Sequence, residues 1–171
     1  MAGRPIKAAI AAFCAVSIVG CAENTATSQR GFKAQYNQAR TALEQGNYDK
    51  ANRVYARLVT DAGPFEERVR LEHGHSELRA GAFDQAAAIA QALAQSGSGK
   101  ERAAALAVKG TADHEQGLAL LRDGQTRAGA ARLTAADKAI AEVLSTHPEL
   151  DPLGALAGRQ ASIKVRLKAL R

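Results

Sequence analysis

The four histidines of this chain are the first candidates for acid-base or metal chemistry. His73 and His75 are two positions apart, and on a helix this spacing turns two side chains away from each other, so they cannot share a metal ion. His114 with Glu115, and the isolated His147, also lack the spacing of a ligand set. We therefore expect surface histidines and no metal site.

A second candidate for chemistry is the segment SGSGK at residues 96–100, which ends in Gly-Lys like a phosphate-binding loop. The position of the earlier glycine is held by Ala94, and Glu101 replaces the Ser or Thr that would follow the lysine. Acidic pairs such as Glu66 and Glu67 suit the first turn of a helix, and no serine or cysteine has an evident base. We expect no enzyme, no cofactor and no small-molecule substrate.

The amino-terminal segment has the pattern of an export signal, because Arg4 and Lys7 precede an apolar run from Ala8 to Val19. The run is shorter than the roughly 20 apolar residues that span a bilayer, so a cleaved signal peptide is favoured. The formal net charge of +6 includes these two basic residues, which leaves a mildly basic mature chain. The chain has no Trp to stack on bases, and we expect no nucleic-acid partner.

The four residues IVGC at positions 18–21 resemble the lipobox of bacterial lipoproteins. The resemblance implies that residues 1–20 are a cleaved signal peptide and that Cys21 receives the lipid. Ala22 rather than an aspartate follows, which implies anchoring in the outer membrane, facing the periplasm. An ordinary secretory signal with a chance cysteine is the alternative. Cys14 leaves with the signal, so one cysteine remains and no internal disulfide is possible.

The segment AENTATSQR at residues 22–30 is polar, and it predicts a flexible tether that with the lipidated cysteine comprises residues 21–31. From residue 32 onward Ala, Leu, Gln, Glu and Arg recur at helical spacing. Residues 32–171 are therefore expected to form one all-α domain. The predicted helices lie near 31–45, 48–61, 64–80, 83–95, 100–122 and 126–146, with a seventh from about Pro152.

One pattern recurs in three stretches, ARTALEQGNYDKA, GHSELRAGAFDQA and GLALLRDGQTRAG. The glycine in the middle of each stretch is expected to end a helix in the left-handed conformation, and the flanking small residues let two helices approach closely. A helix, a tight turn and a second helix form the predicted unit. The shared positions are Ala39, Leu43, Gly46, Tyr48 and Ala51; Gly74, Leu78, Gly81, Phe83 and Ala86; and Gly117, Leu121, Gly124, Thr126 and Gly129.

The segments GNYDKA and GAFDQA resemble the second half of the tetratricopeptide repeat. Gly46 and Gly81 are 35 residues apart, close to the period of about 34 in that family. The third copy diverges, because Gly124 lies 43 residues after Gly81 and Thr126 replaces the aromatic residue. The resemblance implies a right-handed α-solenoid of two regular helix pairs and one divergent pair.

The seventh helix, over about residues 151–170, is expected to cap this solenoid, since a terminal helix needs a polar outer face. An alternative is that its basic, acid-free surface also touches anionic lipid headgroups or an acidic partner. The apolar residues expected on its packed face are Leu153, Leu156, Ile163, Leu167 and Leu170.

In the tetratricopeptide family the first helix of each repeat lines a concave groove that binds peptides. A basic groove suits a protein partner with acidic groups or a free carboxylate, which an Arg can hold with two hydrogen bonds. Solvated surface side chains are the alternative interpretation. The residues that the resemblance places in the groove are Lys33, Tyr36, Arg40, Arg68, Leu71, His75, Arg79, His114, Leu118 and Arg122.

With a lipobox and such repeats, the chain resembles the tetratricopeptide lipoprotein of the tight-adherence pilus apparatus. It resembles the pilotins of secretins more loosely. The resemblance implies a non-catalytic scaffold that is anchored through Cys21 and binds protein partners during assembly of a pilus or secretin. Recruitment or regulation of cell-wall enzymes is the alternative function.

Overall fold

The computed structural model describes residues 20–170, which fold into seven α-helices without a strand. The all-α prediction is therefore confirmed for this part of the chain, and the observed bounds of the second to sixth helices closely match the predicted ones. Residues 1–19, with most of the predicted signal peptide, lie outside the described residues, as does the side chain of Cys21. The helices are α1 (Gly20–Glu44), α2 (Tyr48–Asp61), α3 (Glu66–Arg79), α4 (Phe83–Ser96), α5 (Gly99–Arg122), α6 (Thr126–Thr146) and α7 (Ala155–Ala169).

Helix α1 begins at Gly20, although the sequence predicted a flexible tether over residues 21–31. The segment contains no proline, so every residue can contribute a backbone N–H to the helix. Extending a helix that the folded domain already holds needs no new nucleus, and each added residue gains a hydrogen bond. The backbone of residues 21–31 is thus continuous with the helix that follows.

Three turns of the same design join α1 to α2, α3 to α4 and α5 to α6. Each contains a glycine with positive φ, at 74° in Gly46, 79° in Gly81 and 75° in Gly124. In each turn the glycine N–H and the N–H of the next residue donate to carbonyl groups near the helix end, which is the Schellman arrangement. The predicted left-handed glycines are confirmed, including that of the divergent copy. The bonds join Gly46 to Leu43, Asn47 to Ala42, Gly81 to Leu78, Ala82 to Glu77, Gly124 to Leu121 and Gln125 to Leu120.

Small residues lie where the two helices of each hairpin cross. Ala39, Ala51 and Ala86 are completely buried. In the third hairpin Gly117 and Gly129 face each other, and a Cβ atom at Gly129 would lie 2.9 Å from the backbone oxygen of Gly117. Helices α5 and α6 therefore approach more closely here than an alanine would permit.

Each helix packs chiefly against the helices before and after it in the sequence, with smaller contacts between α3 and α5 and between α5 and α7. The buried residues accordingly form several local clusters. One cluster between α1, α2 and α3 contains Tyr55 and Leu58, and another between α6 and α7 contains Leu133, Ile140 and Ile163. The core is extended along the series of helices.

Helix α7 begins at Ala155, later than the predicted start at Pro152. The Asp151 carboxylate sets this start, because it accepts hydrogen bonds at 2.9 Å from the N–H groups of Leu156 and the residue after it. Leu153 precedes the helix and is 93% exposed, so its predicted place on the packed face is wrong. Leu170, at the other end, is also exposed. The residues that do pack inward are Leu156, Ile163 and Leu167.

Candidate partner-binding surface

Tyr36 and Arg40, two residues of the predicted groove, both bind Glu72 of α3. The Tyr36 hydroxyl donates to Glu72 Oε1 at 3.0 Å, and Arg40 Nη1 donates to Oε2 at 3.3 Å. The hydroxyl of Tyr55 on α2 donates to Oε2 at 3.4 Å. Burial of Tyr55, and secondarily the negative charge of Glu72, raises the pKa of its phenol. One carboxylate, which the sequence analysis missed, thus joins the first three helices.

Arg40 also pairs with Glu44 at 3.3 Å, so two carboxylates within the protein compensate its charge. The sequence predicted an arginine open to acidic ligands, and in the structure its exposed guanidinium is already paired with two carboxylates of the same chain. Exposed pairs of this kind contribute little stability individually. Their consequence for binding is larger, because a partner carboxylate would have to compete with Glu44 and Glu72 for this guanidinium.

Four other predicted residues share one face of α3, since Arg68, Leu71, His75 and Arg79 follow at helical spacing. Arg68, His75 and Arg79 are exposed, and Leu71 is half-buried. The Arg79 guanidinium lies 5.9 Å from the centroid of the Tyr48 ring, at the start of α2. Among the described side chains, no carboxylate lies within 4.0 Å of either arginine. We call these four residues the α3 surface.

An open cavity of about 350 Å³ adjoins the α3 surface, between α3, the end of α4 and the start of α5. Arg68 and Leu71 line one side, and Leu93 adds to the apolar floor. Lys100, from the SGSGK segment, stands at the rim with Glu101 beside it. The cavity can hold an apolar side chain. Its charged lining residues are two basic ones, Arg68 and Lys100, and two acidic ones, Glu67 and Glu101.

Two predicted groove residues on α5 are covered and do not join this surface. His114 is 8% exposed, and Arg159 of α7 donates from Nη1 to His114 Nδ1 and to Glu115 Oε1. Leu118 packs against the core cluster between α6 and α7. These two residues are covered because α7 packs on this side of the third hairpin. The alignment of the three copies had predicted that this side is open. Burial, and next the positive charge of Arg159, lowers the pKa of His114.

The two remaining predicted residues, Lys33 on α1 and Arg122 at the end of α5, are exposed. Neither has a carboxylate within 4.0 Å among the described side chains. In chain order, α1 precedes α3 and α5 follows it. Lys33 and Arg122 are therefore open to solvent, and neither lines the cavity beside α3.

A second carboxylate, which is buried, joins helices in the other half of the molecule. Asp113 is 1% exposed and accepts hydrogen bonds from Lys109 at 2.5 Å and from Arg132 at 2.9 Å. Arg132 also binds Asp84 at 2.6 Å, so the network joins α4, α5 and α6. Its charges are paired within the fold, as a buried carboxylate requires. This network positions helices and offers no free group to a ligand.

Among the described side chains, which begin at Arg30, no group of three His, Cys, Asp or Glu residues is arranged to hold a metal ion. No helix in this described part is both long and apolar enough to cross a membrane. Models of known protein families do not match this chain, and comparisons with curated proteins and with solved structures also find no similar protein.

Proposed function

We propose that the chain is a non-catalytic, lipid-anchored scaffold, built as a solenoid of tetratricopeptide-like hairpins, that binds protein partners on the periplasmic side of the outer membrane. The observation that carries this proposal is the recurrence of one hairpin design three times. Gly46, Gly81 and Gly124 share their φ values and their Schellman hydrogen bonds. Helices that pack mainly on their sequence neighbours are typical of solenoids, which use extended surfaces to bind partners.

The α3 surface and its cavity are the proposed site for one such partner. Arg68 and Arg79 carry charges that no described carboxylate compensates. Leu71 and Leu93 give the adjoining cavity an apolar lining. A peptide with acidic residues beside an apolar side chain satisfies both features. Arg40, His114 and Leu118 are not part of this proposed site, because their groups are bound or covered within the protein.

The anchor in this proposal is a lipid on Cys21, and the support for it is the IVGC sequence behind a basic and apolar segment. The helical backbone of α1 adds a geometric consequence. At about 1.5 Å per residue, the helix would hold Phe32 roughly 16 Å from the lipidated cysteine. The scaffold would then stand at a defined distance from the bilayer surface.

The machine that we propose is a tight-adherence pilus or its secretin, because of the resemblance to the lipoprotein of that apparatus. The test is in vivo cross-linking of the tagged, lipidated protein, followed by purification from membranes and mass spectrometry. Pilus or secretin components are the expected partners. Recovery of cell-wall hydrolases or synthases instead would replace this function with the recruitment of wall enzymes.

A further inference from the structure

The outward side of α7 is a surface without a packing partner among the described residues. The opposite side of the helix packs into the core, since Ile163 is completely buried and Leu156 and Leu167 pack around it. Helix α5, by comparison, is covered by α4 before it and α6 after it. Helix α7 has α6 on one side, a small contact with α5, and no described helix beyond.

The centre of this outward side is apolar. Gly158, Ala161 and Val165 follow at helical spacing, all three are exposed, and Val165 is 71% exposed. A Cβ atom at Gly158 would meet nothing within 4 Å, so the backbone there is open to close approach. Leu153, just before the helix, is 93% exposed. We call Gly158, Ala161, Val165 and the adjacent Lys164 and Lys168 the outer face of α7.

The flanks of the outer face are positively charged. Lys164, Arg166 and Lys168 are exposed, and no described carboxylate lies within 4.0 Å of any of them. Residues 152–170 contain no Asp or Glu. An apolar centre with uncompensated cations at its edges is complementary to an apolar surface edged with carboxylates.

We propose that the outer face of α7 binds an amphipathic helix of a partner protein, with acidic residues beside the apolar stripe of that helix. Its apolar side chains would lie across Gly158 and Ala161, and its carboxylates would face Lys164 and Lys168. A helix fits better than an extended strand because the surface is one exposed helix face, against which helices pack ridge into groove. This proposal does not depend on the α3 surface.

Two other occupants are less consistent with the same observations. A second copy of this chain would bring the same basic residues against Lys164 and Lys168, and like charges repel. A bilayer surface favours helices with large apolar residues such as Leu, Phe and Trp on the inserting side. The centre of the outer face has glycine, alanine and valine instead, which leave little area to insert.

The test uses two synthetic helical peptides as probes, both with leucine and alanine along one face. One has glutamate beside the apolar face, and the other has lysine at the same positions. Fluorescence anisotropy with the soluble chain from residue 22 onward, with its fold verified by circular dichroism, measures the affinity. We expect the glutamate peptide to bind and the lysine peptide to bind at least about tenfold more weakly.

Gly158→Leu is the decisive variant, because it adds bulk where the partner helix must approach, and leucine is a better helix former than glycine. It should weaken binding of the glutamate peptide by about tenfold or more, with the helical circular dichroism retained. Lys164→Glu with Lys168→Glu should weaken it as much. Arg53→Glu with Arg57→Glu, an equal reversal at the same spacing at two exposed residues of α2, is the control and should leave the affinity unchanged.

Arg68→Glu with Arg79→Glu should also leave this affinity unchanged, which separates the outer face of α7 from the α3 surface. Equal binding of the two peptides, or undiminished binding by Gly158→Leu, would overturn the proposal. Binding to phosphatidylglycerol vesicles without binding of the glutamate peptide would identify a membrane surface instead. A dimer that Gly158→Leu dissociates, again without peptide binding, would identify a second copy as the occupant.

Discussion

Gly117 and Gly129 lie opposite each other in the third hairpin, so close that a Cβ atom on Gly129 would be 2.9 Å from the carbonyl oxygen of Gly117. The contact involves backbone on one side, so it cannot be relieved by rotating a side chain. A Leu121 side chain at 2.7 Å limits the space further. The close approach of α5 and α6 at this point therefore depends on the absence of a Cβ atom at Gly129.

Gly129→Ala should lower the free energy of unfolding, although alanine is the better helix former by about 1 kcal/mol. The clash forces the helices apart, and such overpacking costs about 1–3 kcal/mol. Thermal and urea unfolding followed by circular dichroism measure the change. Gly158→Ala, in open space on α7, is the matched control and should stabilise the protein slightly. Stability of Gly129→Ala at or above the parent would mean that the hairpin readily opens.

Gly81→Val should destabilise the protein by at least about 1 kcal/mol, because a β-branched residue fits a φ of 79° poorly. The space around Gly81 is empty, so the effect isolates the backbone conformation. Gly31→Val is the control, because Gly31 lies inside α1 without positive φ and also faces open space. Equal midpoints of urea unfolding for the two variants would show that the turn does not require the left-handed conformation.

Most helix bounds were predictable from the sequence because local residues determine them. The repeated glycines end three helices, and Glu66 and Glu67 lie in the first turn of α3 as expected. The start of α7 was predicted wrongly, because it depends on a single capping side chain and not on a repeated pattern. The Asp151 carboxylate delays the start of α7, and helical periodicity alone had placed Leu153 on the packed face.

The candidate site was less predictable, because it depends on contacts between residues distant in sequence. Glu72 meets Tyr36 across 36 residues, and no periodic pattern indicates which polar residue of α3 reaches α1. His114 was placed in a groove by alignment with two regular repeats. It is instead buried, and it is contacted by Arg159 of α7, a helix outside the repeated pattern. Arg68, His75 and Arg79 of α3, in the second regular copy, are exposed as the repeat pattern predicts.

His114 should make the docking of α7 sensitive to acid. Its pKa is lowered by burial and by Arg159, with Arg166 adding to the effect and Glu115 opposing it. A histidine with a lowered folded-state pKa stabilises the fold above its unfolded value of about 6.5, and this stabilisation is lost as the pH falls through the folded-state pKa. Protonation at Nδ1 also removes the acceptor for Arg159.

The corresponding experiment compares the parent with His114→Gln in thermal unfolding between pH 7.5 and pH 5, roughly the range over which histidines titrate. The parent should lose more stability on acidification than the variant. His147→Gln is the control and should follow the parent, because the hydrogen bond found for this imidazole among the described residues is to neighbouring Thr146. Parallel curves for the parent and His114→Gln would show that this imidazole does not control the docking of α7.

Cys21→Ser should prevent lipidation and processing of the exported protein, because the thiol that receives the diacylglyceryl group is absent. The parent should fractionate with the outer membrane and show an acylated amino-terminal cysteine by mass spectrometry. Cys14→Ser, within the apolar run of the signal, is the control and should be processed normally. A mature protein with a free amino group on Ala22 would instead indicate an ordinary secretory signal.

The α3 surface should bind its partner partly through electrostatic attraction. Arg68→Glu with Arg79→Glu removes two uncompensated cations and introduces repulsion toward an acidic peptide, while Leu71 and the packing around it remain. Recovery of the cross-linked partner should fall several-fold with the helical circular dichroism retained, while loss of the contact between Arg79 and the Tyr48 ring should lower the thermal stability slightly. Binding by the parent should weaken with added salt, because exposed charges are screened over about 8 Å at physiological ionic strength. Arg53→Glu with Arg57→Glu should retain the partner. Loss of the partner from that control, or its retention by the α3 variant, would place the binding site elsewhere.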